Sequence, residues 1–327
     1  MDSKKFLAFW GWKNLPWNEP IALDRLYWQE PTQIICSRLL LSLQRAASLF
    51  VLTTPPGHGK STFGRWLYHN IDQDRHDVAF FSLLQTEQSS GWLLPKLAQY
   101  LGLDPATSTN RNVLARLQQS RLHGKILTVI IDDAHKLKEP EALDEILALI
   151  QVQSIAANHV NFVLIGNPRL SQVIQMTEGC QHRLALLADM PGLARNDIIP
   201  YLNWRLDQIG LPAKVVGADA HNYLMAQAPM SFAWLESLLE GALMEAFLRD
   251  QRVITAETVQ SAVQYFGWSK GLMEDAGTEM PKPAKPIPGR RKQAPAQAGK
   301  SGGGQPPTLD LNSLYYKSSG GHDPEES

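Results

Sequence analysis

The sequence contains little cysteine and no long hydrophobic run. Its two cysteines, Cys36 and Cys180, lie far apart and in no metal-ligand spacing, which fits free thiols in a reducing compartment. No stretch approaches the roughly 18 to 20 uncharged apolar residues that a membrane-spanning helix needs, and the first residues lack the apolar segment of a signal peptide. We therefore expect a soluble, cytoplasmic protein.

Net charge is nearly absent as well. The formal charge is −1, so no global electrostatic field favours nucleic acid or a membrane surface, and any basic surface must be local. Hydrophobic residues make up 44% of the sequence and charged residues 19%, as in ordinary globular proteins. A chain of 327 residues can bury one substantial core and a second, smaller one.

The composition changes after about residue 271. Prolines, a basic cluster and three consecutive glycines follow, with too little apolar surface to offset the entropy of ordering, so we predict a disordered tail over residues 271–327. The basic cluster could neutralise DNA phosphates or only solubilise the tail. It comprises Lys282, Lys285, Arg290, Arg291, Lys292 and Lys300. An apolar island at residues 309–316 is either a partner-binding motif or part of the unstructured tail.

The body of the chain alternates short apolar runs with helix-period segments. The runs are rich in Val, Ile, Leu and Phe, which is typical of parallel strands covered on both faces. They occupy residues 49–54, 78–84, 126–132 and 161–166, with a weaker fifth run at residues 186–190. This alternation predicts an α/β fold: a three-layer core with a parallel sheet.

Strand signals stop after Gly192, and only helical patterns follow. Four such segments predict a small helical lid domain. They are residues 197–209, 218–227, 232–248 and 255–265. We therefore expect four parts: an aromatic-rich N-terminal segment packing on the folded body of the chain (1–30), the α/β core (31–192), the helical lid (193–270) and the tail (271–327).

The first predicted strand runs directly into the segment PPGHGKST, residues 55–62, where a helix begins. This is the context of a Walker A loop, or P-loop, in which glycines let backbone N–H groups curve around nucleotide phosphates at a helix N-terminus. In this role Lys60 would reach the β- and γ-phosphates and the Ser61 hydroxyl would ligate Mg²⁺. The predicted phosphate-binding residues are Pro56, Gly57, His58, Gly59, Lys60, Ser61 and Thr62.

One position departs from the Walker A pattern. Thr54 replaces the first glycine, which begins the loop and does not contact the γ-phosphate, so we expect binding to survive. The alternative interpretation is a chance Gly-Lys-Ser sequence after a strand.

Two carboxylates end the strand predicted at residues 126–132. Asp132 and Asp133 after a run of apolar residues are typical of a Walker B motif, about 70 residues beyond the P-loop. Asp132 would hold Mg²⁺ through water and complete the ion's ligand shell together with Ser61. The alternative is a pair of acids at a solvated strand end. Both motifs together predict ATP and Mg²⁺ as ligands.

Three further segments carry a resemblance to a family. Residues 9–17 (FWGWKNLPW) are similar to the Phe-Gly-Leu-x-x-x-Pro-Phe opening of ExeA/GspA-type AAA+ ATPases, and the P-loop, residues 131–135 (IDDAH) and residues 164–170 (LIGNPRL) follow in that family's order. The resemblance covers about residues 6–265. Related ATPases include pilus-biogenesis proteins and target-selecting regulators of transposons. The resemblance implies an AAA+ P-loop core followed by a helical lid.

The resemblance also implies roles for single residues. Asp133 stands where AAA+ ATPases usually carry the glutamate that polarises the attacking water, and the shorter side chain predicts hydrolysis that is slow or needs a stimulus. Asn167 matches the sensor-1 position. Arg183 matches the arginine offered to the neighbouring subunit's ATP, although it could be only a surface salt-bridge partner. Pro16 and Trp17 would lie near the adenine, unless Trp17 is plain core.

One lid motif of the family is missing. Its Gly-Asn-Pro-Arg-Arg stretch corresponds here to residues 229–234 (PMSFAW), which contain no sensor-2 arginine. We therefore expect lid closure to be less tightly coupled to the γ-phosphate. The membrane span and cell-wall-binding region of the secretion-system members are also not found in this sequence.

These features predict an ATPase that acts as a switch, in which ATP bound between subunits favours a ring or filament and hydrolysis dissolves it. Three functions stay open: service to a secretion or pilus-type machine, ATP-dependent DNA binding in the regulation of transposition, and a nucleotide-binding scaffold with little hydrolysis.

Overall fold

The structure is a computed structural model. It describes residues 3–18, 21–44, 48–84, 91–122, 124–137, 140–156, 160–227 and 231–265. The tail predicted at residues 271–327, with its basic cluster and its apolar island at residues 309–316, lies outside these ranges, as do Pro229 and Met230.

A sheet of five parallel strands forms the centre of the core. The strands are β1 (Leu49–Thr53), β2 (His76–Ser82), β3 (Ile126–Asp132), β4 (Val160–Gly166) and β5 (Leu184–Asp189). Their spatial order is β2-β3-β4-β1-β5, and every neighbouring pair is parallel. The predicted α/β fold with a parallel sheet is confirmed.

The degree of burial explains which strands were predicted with accurate bounds. Every residue of β1 and β4 is buried, so their apolar runs match the strands within one residue. β5 is an edge strand whose residues alternate between partly buried and exposed, which made its run weak and shifted its predicted start by two residues. β2 begins at the polar His76, which is buried and whose ring nitrogen Nδ1 lies 2.9 Å from the Thr128 hydroxyl.

Helices cover both faces of the sheet and continue into the lid. The helices are α1 (Ser3–Trp10), α2 (Glu30–Ser42), α3 (Lys60–Asn70), α4 (Leu93–Tyr100), α5 (Asn110–Leu122), α6 (Asp144–Ala156), α7 (Arg169–Met176), α8 (Cys180–Arg183), α9 (Ile198–Gln208), α10 (Ala218–Ala226), α11 (Phe232–Leu248) and α12 (Ala256–Tyr265). One face of the sheet packs against α4 to α8 and the other against α2 and α3. Within the described ranges, no helix combines the length and apolar character needed to cross a membrane.

The lid has its own hydrophobic core. Helices α9 to α12 pack around buried residues such as Leu202, Leu239 and Leu243. Phe6 and Trp10 of α1 belong to the same cluster, and Phe6 meets Phe247 of α11 edge to face at 5.3 Å between ring centroids. The first part of the N-terminal segment, from Phe6 to Trp17, therefore packs on the lid helices, whereas Leu23, Leu26 and Trp28 pack against the core on the α3 side of the sheet.

The carboxyl ends of β1, β3 and β4 meet at one edge of the sheet. Thr54 donates its backbone N–H to the Gly166 carbonyl oxygen at 3.0 Å, which joins the residues that follow β1 and end β4. Because β1 lies inside the sheet, the loop after it emerges between neighbouring strand ends. This edge is where open α/β sheets bind ligands.

Candidate functional site

The loop between β1 and α3 depends on two glycines in the left-handed region. Gly57 has φ = 76° and Gly59 has φ = 82°, conformations that cost L-residues with a Cβ atom free energy. Gly59 immediately precedes α3, and its carbonyl oxygen accepts the Phe63 N–H at 2.8 Å. The loop thus delivers the positive N-terminus of α3 to the carboxyl edge of the sheet, where it can attract an anion.

The structure brings Lys60 and the two carboxylates together. Burial lowers the pKa of the Lys60 ammonium, while the negative charges of Asp133 and Asp132 act on it in the opposite direction. Asp132 is 3% exposed and accepts the backbone N–H of Asp133 at 2.9 Å. A partly desolvated ammonium beside a buried carboxylate is the charge arrangement that a magnesium–triphosphate site requires.

The side chains of the P-loop fit such a ligand. Ser61 is exposed in the first turn of α3, so its hydroxyl is accessible as an oxygen ligand. Thr62 is partly buried, and its hydroxyl accepts a 3.4 Å hydrogen bond from Arg65. Thr54 is buried, and its Oγ1 atom has no hydrogen-bond partner among the described residues. Thr54, in place of the motif's first glycine, is thus a buried residue at the start of the loop.

His58 lies between the P-loop and the lid. Its Nδ1 atom is 3.0 Å from the Pro56 carbonyl oxygen, and its ring meets Phe232 of α11 edge to face at 6.0 Å between centroids. The ring also lies against Gly192, where a Cβ atom would come within 2.7 Å of His58 Nε2. Gly192 is therefore required for this close approach between the core and the start of the lid.

Asp133 lies in a conformation that non-glycine residues rarely adopt, with φ = 58°. Its Oδ2 atom is 2.8 Å from Lys136 Nζ, and its Oδ1 atom is 4.0 Å from His135 Nδ1. Burial lowers the pKa of His135, and Asp133 opposes that shift. The carboxylate is held at the site edge by residues from the same turn.

Asn167 follows β4 at the same edge. Its Oδ1 atom accepts the Arg169 N–H at 3.0 Å and its carbonyl oxygen accepts the Leu170 N–H at 2.9 Å, so the side chain fixes the turn into α7. Gly166, one residue earlier, lies so close to the His135 backbone that a Cβ atom would come within 3.0 Å of its nitrogen. The turns carrying Asn167 and Asp133 are therefore in contact.

Arg183 lies elsewhere. It ends α8 directly before the amino end of β5, whereas Lys60 follows the carboxyl end of β1, and these two strands are parallel neighbours. Arg183 is thus at the opposite edge of the sheet, beside a cavity of about 450 Å³ that Asp144, Glu178 and His182 also line. From this position it cannot serve the site of its own chain.

An apolar cavity of about 140 Å³ lies beside the P-loop. It is formed by four separate parts of the chain: the segment before α2 with the start of α2, the P-loop with α3, the residues directly after β5, and the lid. Its lining includes Ile21, Leu26, Tyr27, Trp28, His58, Thr62, Phe63, Tyr201, Trp204 and Phe232. Trp17 does not line it and instead packs on Trp12 in the aromatic cluster on the lid, with 5.5 Å between ring centroids.

Hydrogen bonds fix the first wall of this cavity. The Gln29 amide donates to an Asp197 carboxylate oxygen at 2.7 Å and to the Gly192 carbonyl oxygen at 3.3 Å, and Gln29 is 8% exposed. Tyr27, Gln29 and the lid residues of the cavity were not predicted from the sequence. Tyr27 and Trp28 are adjacent aromatic residues, which is the one local signal in the sequence that could have pointed to them.

The lid contacts the P-loop directly through the start of α11. Ala233 donates its N–H to the Gly57 carbonyl oxygen at 3.0 Å, and the Ser231 hydroxyl caps the helix by accepting the Trp234 N–H at 3.1 Å. A Cβ atom on Gly57 would lie 2.7 Å from Ser231 Oγ. Helix α11 contains no arginine or lysine, so its contacts with the P-loop are the backbone hydrogen bond of Ala233, the Ser231 side chain and the ring of Phe232 against His58.

Comparisons with known proteins bear on the fold. A model of the AAA domain family matches residues 43–174. A comparison with curated protein sequences found no match.

Several solved structures have a similar fold. Cdc6p from Pyrobaculum aerophilum is 17% identical, with a TM-score of 0.58 over 84% of this chain and 74% of that one. The Aeropyrum pernix ORC2 protein, solved as ADPNP–ADP complexes, is 15% identical, with a TM-score of 0.54 over 73% and 68% of the two chains. The Aeropyrum pernix ORC1 protein in complex with DNA is 18% identical, with a TM-score of 0.54 over 76% and 68%. The chain has the AAA+ P-loop fold.

Proposed function

We propose that this chain, folded as an AAA+ domain with a helical lid, is an ATPase that binds Mg–ATP and acts as an ATP-controlled assembly switch. The observation that carries the proposal is the meeting of Lys60, Asp132 and Asp133 at one sheet edge, next to an apolar cavity. The charged edge suits a triphosphate and the cavity suits a purine base. The ORC2 protein of the same fold was solved with ADPNP and ADP, which is consistent with this ligand class.

Each part of the site has a role in binding. The P-loop amides and the α3 N-terminus hold the phosphates, and Lys60 neutralises their terminal charge. Ser61 and Asp132 are the residues that would hold Mg²⁺, which supplies charge neutralisation between the phosphates when it is bound. Tyr27, Trp28 and Phe232 offer apolar ring surface to the base.

Asp133 would accept a proton from the attacking water, and Asn167 would help to orient that water. An aspartate reaches one methylene less far than the glutamate usual in this fold, so we expect slow turnover or stimulation by a partner.

The arginine at the far edge makes the site dependent on a second copy. Because Arg183 cannot reach the site of its own chain, its proposed role is to stabilise the transferring phosphoryl group bound to a neighbouring subunit. Nucleotide bound between subunits would then stabilise a ring or filament, and hydrolysis would weaken it. This coupling is the physical basis of the proposed switch.

What the assembly acts on is a separate proposal. The similarity of residues 9–17 and the following motifs to ExeA/GspA-type ATPases favours service to a secretion or pilus-type machine. The basic residues between Lys282 and Lys300 instead favour DNA as the partner, and the ORC1 protein of the same fold was solved with DNA. Salt-dependent retention on duplex DNA in the presence of ATP would select the second partner, and no retention at low salt would leave the first.

Calorimetry and steady-state phosphate release test the ATPase proposal. The expected result is heat on addition of Mg–ATP and phosphate release above that of Lys60→Ala, which removes the ammonium at the γ-phosphate. Lys214→Ala is the matched control, because Lys214 is exposed in the lid and should change neither signal. Binding without phosphate release above Lys60→Ala would identify a nucleotide-binding scaffold, and no binding heat would refute the proposal.

A further inference from the structure

One lysine contacts both the carboxylate of Asp133 and the end of the neighbouring strand β2. Lys136 Nζ lies 2.8 Å from Asp133 Oδ2 and donates a 2.6 Å hydrogen bond to the Leu83 carbonyl oxygen. The side chains of Lys136 and Asp133 are 25% and 29% exposed. A charge-assisted hydrogen bond with this geometry and partial burial is stronger than a solvated surface pair.

The lysine side chain is not needed to form the turn in which it lies. Main-chain hydrogen bonds hold that turn: the Lys136 N–H donates to the Asp133 carbonyl oxygen at 2.9 Å, and the Leu137 N–H donates to that of Ala134 at 3.0 Å. Leu83 is tied to β3 separately, because its N–H donates to the Asp132 carbonyl oxygen at 3.1 Å. The Lys136 ammonium therefore acts on the Asp133 carboxylate rather than on the turn.

Among the described residues, Lys136 is the one donor to the Asp133 carboxylate at hydrogen-bond distance. His135 Nδ1 is 4.0 Å from Oδ1, too far for a hydrogen bond. In hydrolysis, Asp133 must accept a proton from the water whose oxygen bonds to the γ-phosphorus while the bond to the β–γ bridging oxygen breaks. An ammonium on Oδ2 occupies one of the lone pairs available for that task and offsets the negative charge.

We propose that Lys136 is a positioning residue that holds Asp133 in a resting state and keeps basal ATP hydrolysis low. This inference rests on the proposed function. Because the same ammonium binds the main chain at the end of β2, a shift of that strand end is transmitted to Asp133. A partner that moves this end of β2 would thereby release the carboxylate.

The first test is Lys136→Met in the full chain. The expected result is a rise in kcat of up to about fivefold, which is the factor that corresponds to a partly exposed ion pair, with KM for Mg–ATP unchanged. Lys136→Arg retains the charge and the donors, so it should restore the low rate.

Lys125→Met is the matched control for the first test. Lys125 donates to the Gln73 carbonyl oxygen at 2.9 Å at the opposite end of β3, and it forms no ion pair with a carboxylate of the described residues. It should leave kcat unchanged. A kcat of Lys136→Met that is unchanged or reduced, alongside a normal Lys125→Met, overturns the inference.

The second test needs no nucleotide. Thermal unfolding of the unliganded chain is measured for Lys136→Met, Asp133→Asn and the double variant. If the two side chains are paired, the double variant unfolds at about the temperature of either single variant; additive shifts overturn the pairing. The double variant should also show no gain in kcat.

The two proposals fail in different ways. Absence of binding heat with Mg–ATP defeats the proposed function. Binding heat with no increase in turnover of Lys136→Met defeats only the role of Lys136.

Discussion

The two ends of the candidate site are built from different materials. The phosphate end consists of backbone in left-handed conformations, one ammonium and two carboxylates, and it comes from short segments next to strand ends. The base end consists of aromatic rings from the segment before α2, the P-loop helix and the lid. A loop that depends on glycines with positive φ tolerates almost no added side chain. Removal of one of several aromatic rings, in contrast, weakens ligand binding only in part. The two ends should therefore respond differently to substitution.

The largest effect is expected at the phosphate end, from Gly57→Ala compared with Gly59→Ala. Both glycines have positive φ, so either alanine should destabilise the fold by about 1–2 kcal/mol and weaken nucleotide binding. At Gly57 the new methyl group would also overlap Ser231, whereas at Gly59 the point that the methyl group would occupy has no atom of the described residues within 4 Å beyond the glycine's own chain neighbours. Urea unfolding should show a further loss of about 1–3 kcal/mol for Gly57→Ala. Equal losses would show that the lid contact carries no energy.

The base end is tested by Phe232→Ala. Loss of one ring face should weaken ATP binding about tenfold, while binding of inorganic triphosphate, which lacks a base, stays unchanged. Phe247→Ala is the control, because Phe247 lies in the same helix but packs against Phe6 and Phe9 away from the cavity. Calorimetry with both ligands measures the difference. Equal weakening for both ligands would refute the division of the site into two ends.

A smaller effect is expected from Asp133→Glu. The longer side chain reaches further toward the attacking water, so kcat should rise by a few-fold, up to about tenfold, with little change in KM. Phosphate release over a range of Mg–ATP concentrations separates the two constants. A fall in kcat would mean that the left-handed turn at Asp133, with φ = 58°, already positions the shorter carboxylate well.

The smallest effect is expected at His76, which lies outside both ends of the site and affects only the stability of the fold. Burial lowers the pKa of His76 from its ordinary value of 6.5, so the unfolded chain binds this proton more readily than the folded chain. Stability from this group is fully present above pH 6.5 and falls as the pH drops from there toward the lowered folded pKa. His76→Gln should flatten that part of the stability curve without changing ATP affinity near neutral pH. A changed affinity would tie the far edge of the sheet to the site.

The contrast between the phosphate end, built from short local segments, and the cavity, built by tertiary packing, also explains what could be predicted from the sequence alone. The fold followed from near-continuous apolar runs, because strands β1, β3 and β4 are almost completely buried. Lys60 and Asp132 could be placed together because their motifs lie at the carboxyl ends of two strands in one parallel sheet. The cavity could not be predicted, since Tyr27 and Phe232 meet only through tertiary packing and no local pattern links them. Lys136 was also missed, because its contact with Leu83 depends on strand order.

The cavity has a consequence for the order of events during synthesis. Its walls are separated by about two hundred residues of chain, and α1 needs α11 to cover Phe6. A ribosome that has released the sheet but not yet α11 holds a phosphate loop with one wall of the base cavity missing. Under the proposed function, full nucleotide affinity is then acquired late in synthesis, when Tyr27 and Trp28 come together with Phe232 of α11.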